Sequence, residues 1–480
     1  MGGYVDFGAC SVYPLAGKAL RSEFRSVPTA ESNMLNRIIA NRRFVSVCLF
    51  LAAVIRLLWI WLVDAPQVSD FFWYQYFARN IADGKGYTVD GVPTGYWPVG
   101  YQGLLGIMFF VVGESVLIGK LLNIVLYILT IFLTYRLSQR LFHCEYAARV
   151  TVGLLSFYPN HIAYTALLSS EILFIFLVAS SAFVFEAAGG RAGFLILSGM
   201  LWGLAVLTKP QALLLPFLFL LFFSESVRSF VRSSVLVYCM VLITVSPWLI
   251  RNHSIFGTYT LAHTGGINLL IGNNPYDDTG GNNFSAKVNA LLGDLQTVPI
   301  QNMFDGREVE RDSRAADIAI DYMVHNPWRV LELLPRKLLA LFGGDDEGLY
   351  YSVGMMTGSK SDAAPLGTLP RALWLPPSAQ ERRTTILYKN VSRVFKLYYV
   401  VTIVLFAISL PAVLKLPIRQ HIGLAIIGLL TLVYLVLFGQ SRYHFAMMPW
   451  VTIYSGLGAQ ALLLGKSSLR IAESGEVTRE

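Results

Sequence analysis

SDFFWYQYFARNIADGKGYTVDGVPTGYWPVGYQG, residues 69–103, decides what kind of chain this is. It follows the first long apolar segment directly and combines one early acid, Asp70, with seven Tyr or Trp residues, several Gly and two Pro. Backbone and charge of that kind find no partner in hydrocarbon, so the stretch cannot span a bilayer as a helix. It belongs at the membrane surface. It reads as the ceiling of a site on the non-cytoplasmic side, with Asp70 as the leading candidate for a base.

The 480 residues are 55% hydrophobic and only 14% charged, which excludes a soluble globular mixture and indicates an all-α integral membrane protein. Cys10, Cys48, Cys144 and Cys239 have neither pairing nor metal spacing, so no disulfide or zinc framework is implied. The formal net charge of +8 does not require nucleic acid as a partner. Lys and Arg concentrate in short loops beside apolar spans, as cytoplasmic retention demands.

Residues 1–43 form a cytoplasmic arm ending in Arg37, Arg42 and Arg43, and the run 44–63 is long enough to span and lacks a small-residue cleavage site. The next apolar piece, 104–112, is too short to cross and reads as an interfacial or re-entrant helix. Further spans are expected near 116–135, from 150 to a break at Tyr158-Pro159-Asn160-His161, and near 167–185, 194–207, 212–223, 235–248, 391–410, 422–438 and 446–464. That gives about ten spans with both termini inside. The transmembrane core is then 44–250, with a first outer loop at 64–115. An outer lid region, 251–390, carries amphipathic helices at 307–323 and after the Asn326-Pro327 cap, and C-terminal transmembrane helices and a tail occupy 391–480.

In this topology Asp70, Lys85, Tyr96, Glu171, Lys209, Arg251, His263, Arg442, Tyr443 and His444 all fall at outer span ends or in outer loops. Only Arg56 lies plainly inside a span. A transporter would place charge near the midplane, so the pattern favours chemistry at the outer interface. Two readings stand for each residue. Asp70 is a solvated loop acid or a partly desolvated base, and Glu171 caps its helix or serves the site. Lys209, Arg251 and Arg442 snorkel to the interface or clamp a lipid-borne phosphate. His263 and His444 lie in no spaced ligand cluster, so a divalent metal is not indicated. Asp345-Asp346-Glu347 reads as a solvated acidic run, and Gly84-Lys85-Gly86 lacks a nucleotide-binding frame. Asn252, Asn283 and Asn390 open Asn-x-Ser sequons in the expected outer regions.

An acid after the first span, then Trp73-Tyr74, Ala78-Arg79-Asn80, Gly84-Lys85-Gly86-Tyr87, Pro93-Thr94 and Trp97-Pro98-Val99-Gly100-Tyr101, resembles the first outer loop of GT-C fold glycosyltransferases. The similarity is to the protein O-mannosyltransferase and aminoarabinose transferase superfamily. Ser170-Glu171-Ile172-Leu173-Phe174, Gly203 to Pro210, Ser246-Pro247-Trp248 to Asn252 and Gly272-Asn273-Asn274-Pro275 extend it in order over about residues 45–280.

The resemblance implies a GT-C fold with outer juxtamembrane helices. It also implies a polyprenyl-phosphate-linked sugar as donor and inverting transfer to a hydroxyl of an envelope lipid, polysaccharide or protein. Asp70 matches the family's loop acid, Glu171 a recurrent acid, and Lys209 and Arg251 positions suited to the lipid phosphate, to which the reading adds Arg442. Tyr74, Lys85, Tyr96, Trp97, His263, Tyr443 and His444 are candidate substrate contacts. Phe71 stands where other members have the second acid of an Asp-Glu pair, so a metal-assisted variant is not implied and no cofactor is required. The expected place is the inner (plasma) membrane with the site on the periplasmic side. The alternative function is a lipid or polysaccharide transporter of the cell envelope.

Overall fold

A computed structural model describes residues 34–282, 284–297, 303–353 and 379–464, without the side chains of 379–387. Residues 1–33 and 465–480, with Cys10, most of the N-terminal arm and the C-terminal tail, lie outside this range, as does the sequon residue Asn283. The described residues are helical almost throughout, with one two-stranded hairpin.

Among the described residues, seven helices are long and apolar enough to cross a membrane: Phe44–Leu62, Val116–Phe142, Ser170–Ala188, Val227–Phe256, Tyr388–Val413, Ile418–Val436 and Ser441–Leu464. The other three expected crossings are the shorter helices Glu145–Ser156, Ala192–Thr208 and the Pro210–Phe223 segment. The all-α membrane architecture expected from composition holds. Ser441–Leu464 is the central element, mostly buried, whereas Phe44–Leu62 is largely exposed along its apolar surface, as a lipid-facing helix is. Gly458 allows the close packing, because a Cβ there would collide with the Leu405 carbonyl.

Val116–Phe142 would extend about 40 Å at 1.5 Å per residue, so it carries Arg140 to the end of the bundle opposite the 64–115 loop. There Arg140 pairs with Glu186 at 2.6 Å and Arg419 with Glu225 at 3.0 Å. Arg56, inside the first span, is fully buried, and its guanidinium donates to the carbonyls of Ala52 and Ser156 at 3.0 Å. It stacks over Tyr127, 4.1 Å from the ring centroid. The cation therefore satisfies carbonyls left open where Glu145–Ser156 ends, ahead of the expected break at Pro159.

One helix end differs from expectation. The span expected to stop at Ser246-Pro247-Trp248 continues to Phe256. Pro247 removes the N–H that would meet the Ile243 carbonyl, and the Ser246 hydroxyl donates to that carbonyl instead, at 3.0 Å. Arg251 and Asn252 are consequently helical. Asn252 is fully buried with its amide on the Thr260 carbonyl, so this sequon presents no accessible side chain.

The loop face is built from the 64–115 stretch and residues 257–353. Asp70–Ala82 forms a helix, Thr88–Val89 and Val92–Pro93 pair as a hairpin, and Gly100–Val112 forms the short non-spanning helix. Asp90 and Gly91 both hold positive φ, as a two-residue hairpin turn requires. Both expected amphipathic helices are present, as Glu308–His325 and Pro327–Phe342.

Candidate active site

Four charged side chains converge from four helix ends. Asp70 is the first residue of Asp70–Ala82 and Glu171 the second of Ser170–Ala188, where the helix dipole favours anions. Lys209 terminates Ala192–Thr208, where the dipole favours a cation. Arg442 stands in the first turn leading into the central helix. Arg442 Nη2 meets Asp70 Oδ2 at 2.8 Å, Lys209 Nζ donates to Glu171 Oε1 at 3.0 Å, and Arg442 Nε lies 4.0 Å from the same Glu171 oxygen. Arg442 therefore joins two carboxylate–cation pairs into one chain of alternating charge.

Ser69, immediately before the acid, holds φ +55° with ψ −133°, outside the ordinary regions for a residue with a side chain. Such a conformation costs about 1–3 kcal/mol and marks a position fixed by its surroundings. The Asp70 side chain keeps 21% of its surface accessible, while that of Glu171 keeps 5%. Asp70 is thus the more reachable carboxylate.

The segment bearing Arg442 is held from two sides. Glu347 accepts from the Gln440 amide at 2.6 Å, the Ser441 hydroxyl at 2.6 Å and the Arg442 N–H at 2.8 Å. A carboxylate at that helix start offsets the cation lodged there. On the other side Tyr443 stacks on Tyr434 with centroids 4.2 Å apart, and the Tyr434 hydroxyl accepts from Gln211 at 2.7 Å. Gln211 follows Lys209 by two residues, so the lysine turn and the arginine turn are linked.

Asp345-Asp346-Glu347, expected as a solvated run, is not one. Asp345 is 1% exposed, lies 3.0 Å from His444 Nε2, and accepts from Tyr158 and Asn160. Asp346 pairs with Lys396 at 3.3 Å. Each acid has a partner distant in sequence, which local composition does not reveal. His444 is buried between Phe342 and Tyr399, and is accordingly part of this packing instead of lining open space.

Arg251 is placed differently from Lys209 and Arg442. Its guanidinium donates to the carbonyls of Thr94 at 2.7 Å and Tyr87 at 3.0 Å and lies over Trp248, 4.7 Å from the centroid. Among the described residues it pairs with none of the four site charges. His263 is also beneath the loop, where its Nδ1 meets Glu308 Oε1 at 2.9 Å. Glu308 in turn accepts from the Gly95 N–H at 2.5 Å and the Thr94 hydroxyl at 2.7 Å. These residues clamp the loop backbone. Lys85 is exposed and pairs with its neighbour Asp83 at 2.8 Å.

The aromatic residues of the loop form a cluster beside the site. Trp73 packs on Phe304 at 4.7 Å, Tyr96 on Trp97 at 4.5 Å, and Tyr74 on Trp97 at 6.2 Å. Burial, with Asp70 and then Glu171 nearby, raises the Tyr74 phenol well above its ordinary value, so it remains protonated. Burial likewise raises Tyr96. Sequence reasoning did not find Glu308, Gln211 or Tyr434. Among the described residues no group of three His, Cys, Asp or Glu is placed to hold a metal ion.

Residues 98–250 match the family model of dolichyl-phosphate-mannose-protein mannosyltransferase. The membrane glycosyltransferase resemblance is borne out over that stretch, about a third of the chain, which contains Glu171, Lys209 and the end of the loop. Asp70 and Arg442 lie outside it. Among solved structures, the oligosaccharyltransferase of Archaeoglobus fulgidus tethered with an acceptor peptide is 13% identical, with TM-score 0.47, over 88% of this chain and 50% of that one. The chain thus spans half the length of that neighbour. ArnT from Cupriavidus metallidurans bound to undecaprenyl phosphate is 14% identical, with TM-score 0.39, over 88% of this chain and 76% of its own. Its apo state is 14% identical, with TM-score 0.38, over 89% and 76%. No curated protein matches the sequence.

Proposed function

We propose that the protein transfers a sugar from a polyprenyl-phosphate-linked donor to an acceptor hydroxyl at the non-cytoplasmic face of the membrane. The observation carrying this reading is the single cluster of Asp70, Arg442, Glu171 and Lys209 at helix ends on the loop face. Transfer needs a base for the incoming hydroxyl and positive charge on the departing phosphate, and the cluster offers both. The family match supports a lipid-phosphate sugar as donor, and Arg140 and Arg419 at the opposite end support a cytoplasmic position for that end.

In this reading the donor phosphate approaches Lys209 and Arg442, and Arg442 turns from Asp70 towards it. The freed Asp70 carboxylate takes the acceptor's hydroxyl proton. The acceptor oxygen bonds to the anomeric carbon as its bond to the phosphate oxygen breaks, with the electron pair leaving on the phosphate. One displacement inverts the configuration. Glu171 holds Lys209 in place, and the aromatic loop limits water, which would compete as acceptor. This displacement uses no cofactor.

The test is Asp70→Asn in the full-length protein, with decaprenyl-phosphate mannose as donor probe. Loss of a positioned base lowers turnover by about 10²–10⁴-fold, while donor affinity is kept. Wild-type turnover in this variant would remove the acid from the mechanism, and absence of sugar transfer by the wild type itself would favour the transport alternative.

A further inference from the structure

Lys120 stands apart from the other buried cations. It lies in the second turn of Val116–Phe142, at the loop end of the bundle. Arg56 and Lys337, also buried, have backbone carbonyls at 3.0 Å to receive their protons. The Lys120 ammonium makes no hydrogen bond among the described residues, and the nearest acid oxygen, Asp64 Oδ1, is 3.7 Å away. A desolvated ammonium without an acceptor is costly, so this one calls for a further partner. Snorkelling does not account for it, because a snorkelling lysine keeps its head in water and this side chain is only 6% exposed.

The surroundings select a ligand class. Lys120 precedes Tyr127 by seven residues and therefore shares its helix face, two turns nearer the loop end. The Tyr127 ring lies under Arg56, so this face runs along the seam with Phe44–Leu62. Asp64 comes two residues after that helix, and its side chain is fully exposed. The ion pair thus sits at the rim of the seam, where the apolar span gives way to the headgroup layer. Trp61, three residues before Asp64, is exposed at the same level, as aromatic side chains are at that boundary. Below the rim, Leu121, Val125 and Leu129 form an exposed apolar row down Val116–Phe142. A buried cation beside an exposed anion, above an apolar strip, matches a headgroup carrying both a phosphate and an amine over acyl chains. A headgroup with negative charge alone would meet repulsion from Asp64.

We propose that Lys120 and Asp64 form a binding site for an amine-bearing phospholipid, with its phosphate on the Lys120 ammonium, its amine on the Asp64 carboxylate and an acyl chain along the row from Leu121 to Leu129. The site is independent of the sugar-transfer reading. Among the described residues, neither Lys120 nor Asp64 pairs with Asp70, Glu171, Lys209 or Arg442.

Native mass spectrometry of the purified full-length chain, titrated in detergent with dioleoyl phosphatidylethanolamine, tests the site. The wild type should bind one copy more tightly than any further ones. Lys120→Met keeps the apolar stem and should weaken that copy by about tenfold, as expected on loss of a charge-assisted phosphate contact. Asp64→Asn changes a fully exposed side chain and leaves packing untouched. It should abolish the preference for phosphatidylethanolamine over dioleoyl phosphatidylglycerol. Excess inorganic phosphate and excess decaprenyl phosphate should both leave the tight copy in place. Displacement by inorganic phosphate would reduce the site to a general anion contact, and displacement by decaprenyl phosphate would assign it to the polyprenyl lipid. Either result overturns the proposal, as does wild-type binding in Lys120→Met or an unchanged lipid preference in Asp64→Asn.

Discussion

Two groups of charged residues under the same loop make opposite use of similar side chains. In the clamp, Arg251 meets the carbonyls of Tyr87 and Thr94, and Glu308 meets Gly95, Thr94 and His263. In the quartet, Arg442 is shared between Asp70 and Glu171 at unequal distances, and these partners are side chains instead of backbone. A cation bonded to fixed carbonyls holds shape. A cation bonded to another side chain can exchange that partner for an incoming phosphate, with the geometry already set by its supports.

This contrast can be broken from either side. The largest effect is expected for Arg442→Ala, which removes phosphate charge and leaves Asp70 and Glu171 without their shared cation. Transfer should fall by about 10²–10³-fold, as on loss of one oriented transition-state donor. Initial rates at saturating donor would show it, and a change below tenfold would count against the site.

Glu308→Ala attacks the clamp. It strands His263, the Gly95 N–H and the Thr94 hydroxyl in a buried place, and breaking such a buried pair costs about 3–5 kcal/mol. Thermal unfolding in detergent should report that loss, while activity per folded molecule changes little. An intact melting point with lost activity would move Glu308 from the clamp to the chemistry.

Glu347→Gln sharpens the comparison more gently. The amide keeps its acceptor oxygen for one or two donors but loses the charge that offsets Arg442, so kcat should fall while KM for the donor stays nearly constant. Glu347→Asp, which keeps the charge at shorter reach, should recover part of the rate.

The smallest effect concerns Lys337, buried under the loop face with its ammonium on the Leu435 carbonyl and Asn273 at 3.0 Å. Burial lowers its pKa to about 8 from an ordinary value of 10.5. The unfolded chain holds that proton more tightly, so the residue's destabilising contribution is complete below pH 8 and is relieved as pH rises towards 10.5. The melting temperature of the wild type relative to Lys337→Met should therefore increase between pH 8 and pH 10. A difference independent of pH would contradict the assignment.

How legible the molecule was in its sequence depends on how local the deciding interaction is. Asp70, Glu171 and Lys209 were readable because helix ends are marked locally, by a loop, by Ser169-Ser170 and by Pro210. The break at Pro159 was readable for the same reason. Pro247 does not end its helix as the sequence suggests, because a neighbouring hydroxyl takes over the orphaned carbonyl. The Asp90-Gly91 pair is a local hairpin signal of the same kind, and both residues hold the positive φ that such a turn requires.

Partners distant in sequence were not legible. Nothing near Asp345 announces Tyr158, Asn160 and His444. Equally, nothing near Arg251 separates it from Lys209, since each lies within four residues of a proline and follows an apolar run. Only the tertiary fold supplies one with carbonyls and the other with a carboxylate.

Arg442 and Arg251 are likewise two similar cations with different partners, a carboxylate for the first and backbone carbonyls for the second, and this difference is the centre of the account. Binding of decaprenyl phosphate to Arg442→Ala and Arg251→Ala, measured side by side on folded protein in nanodiscs, tests it most directly. The prediction is a loss of about tenfold or more for Arg442→Ala, in keeping with a charge-assisted phosphate contact, and near-wild-type affinity for Arg251→Ala. Weakened binding in Arg251→Ala beside unchanged binding in Arg442→Ala would place the lipid phosphate under the loop and contradict the site described above.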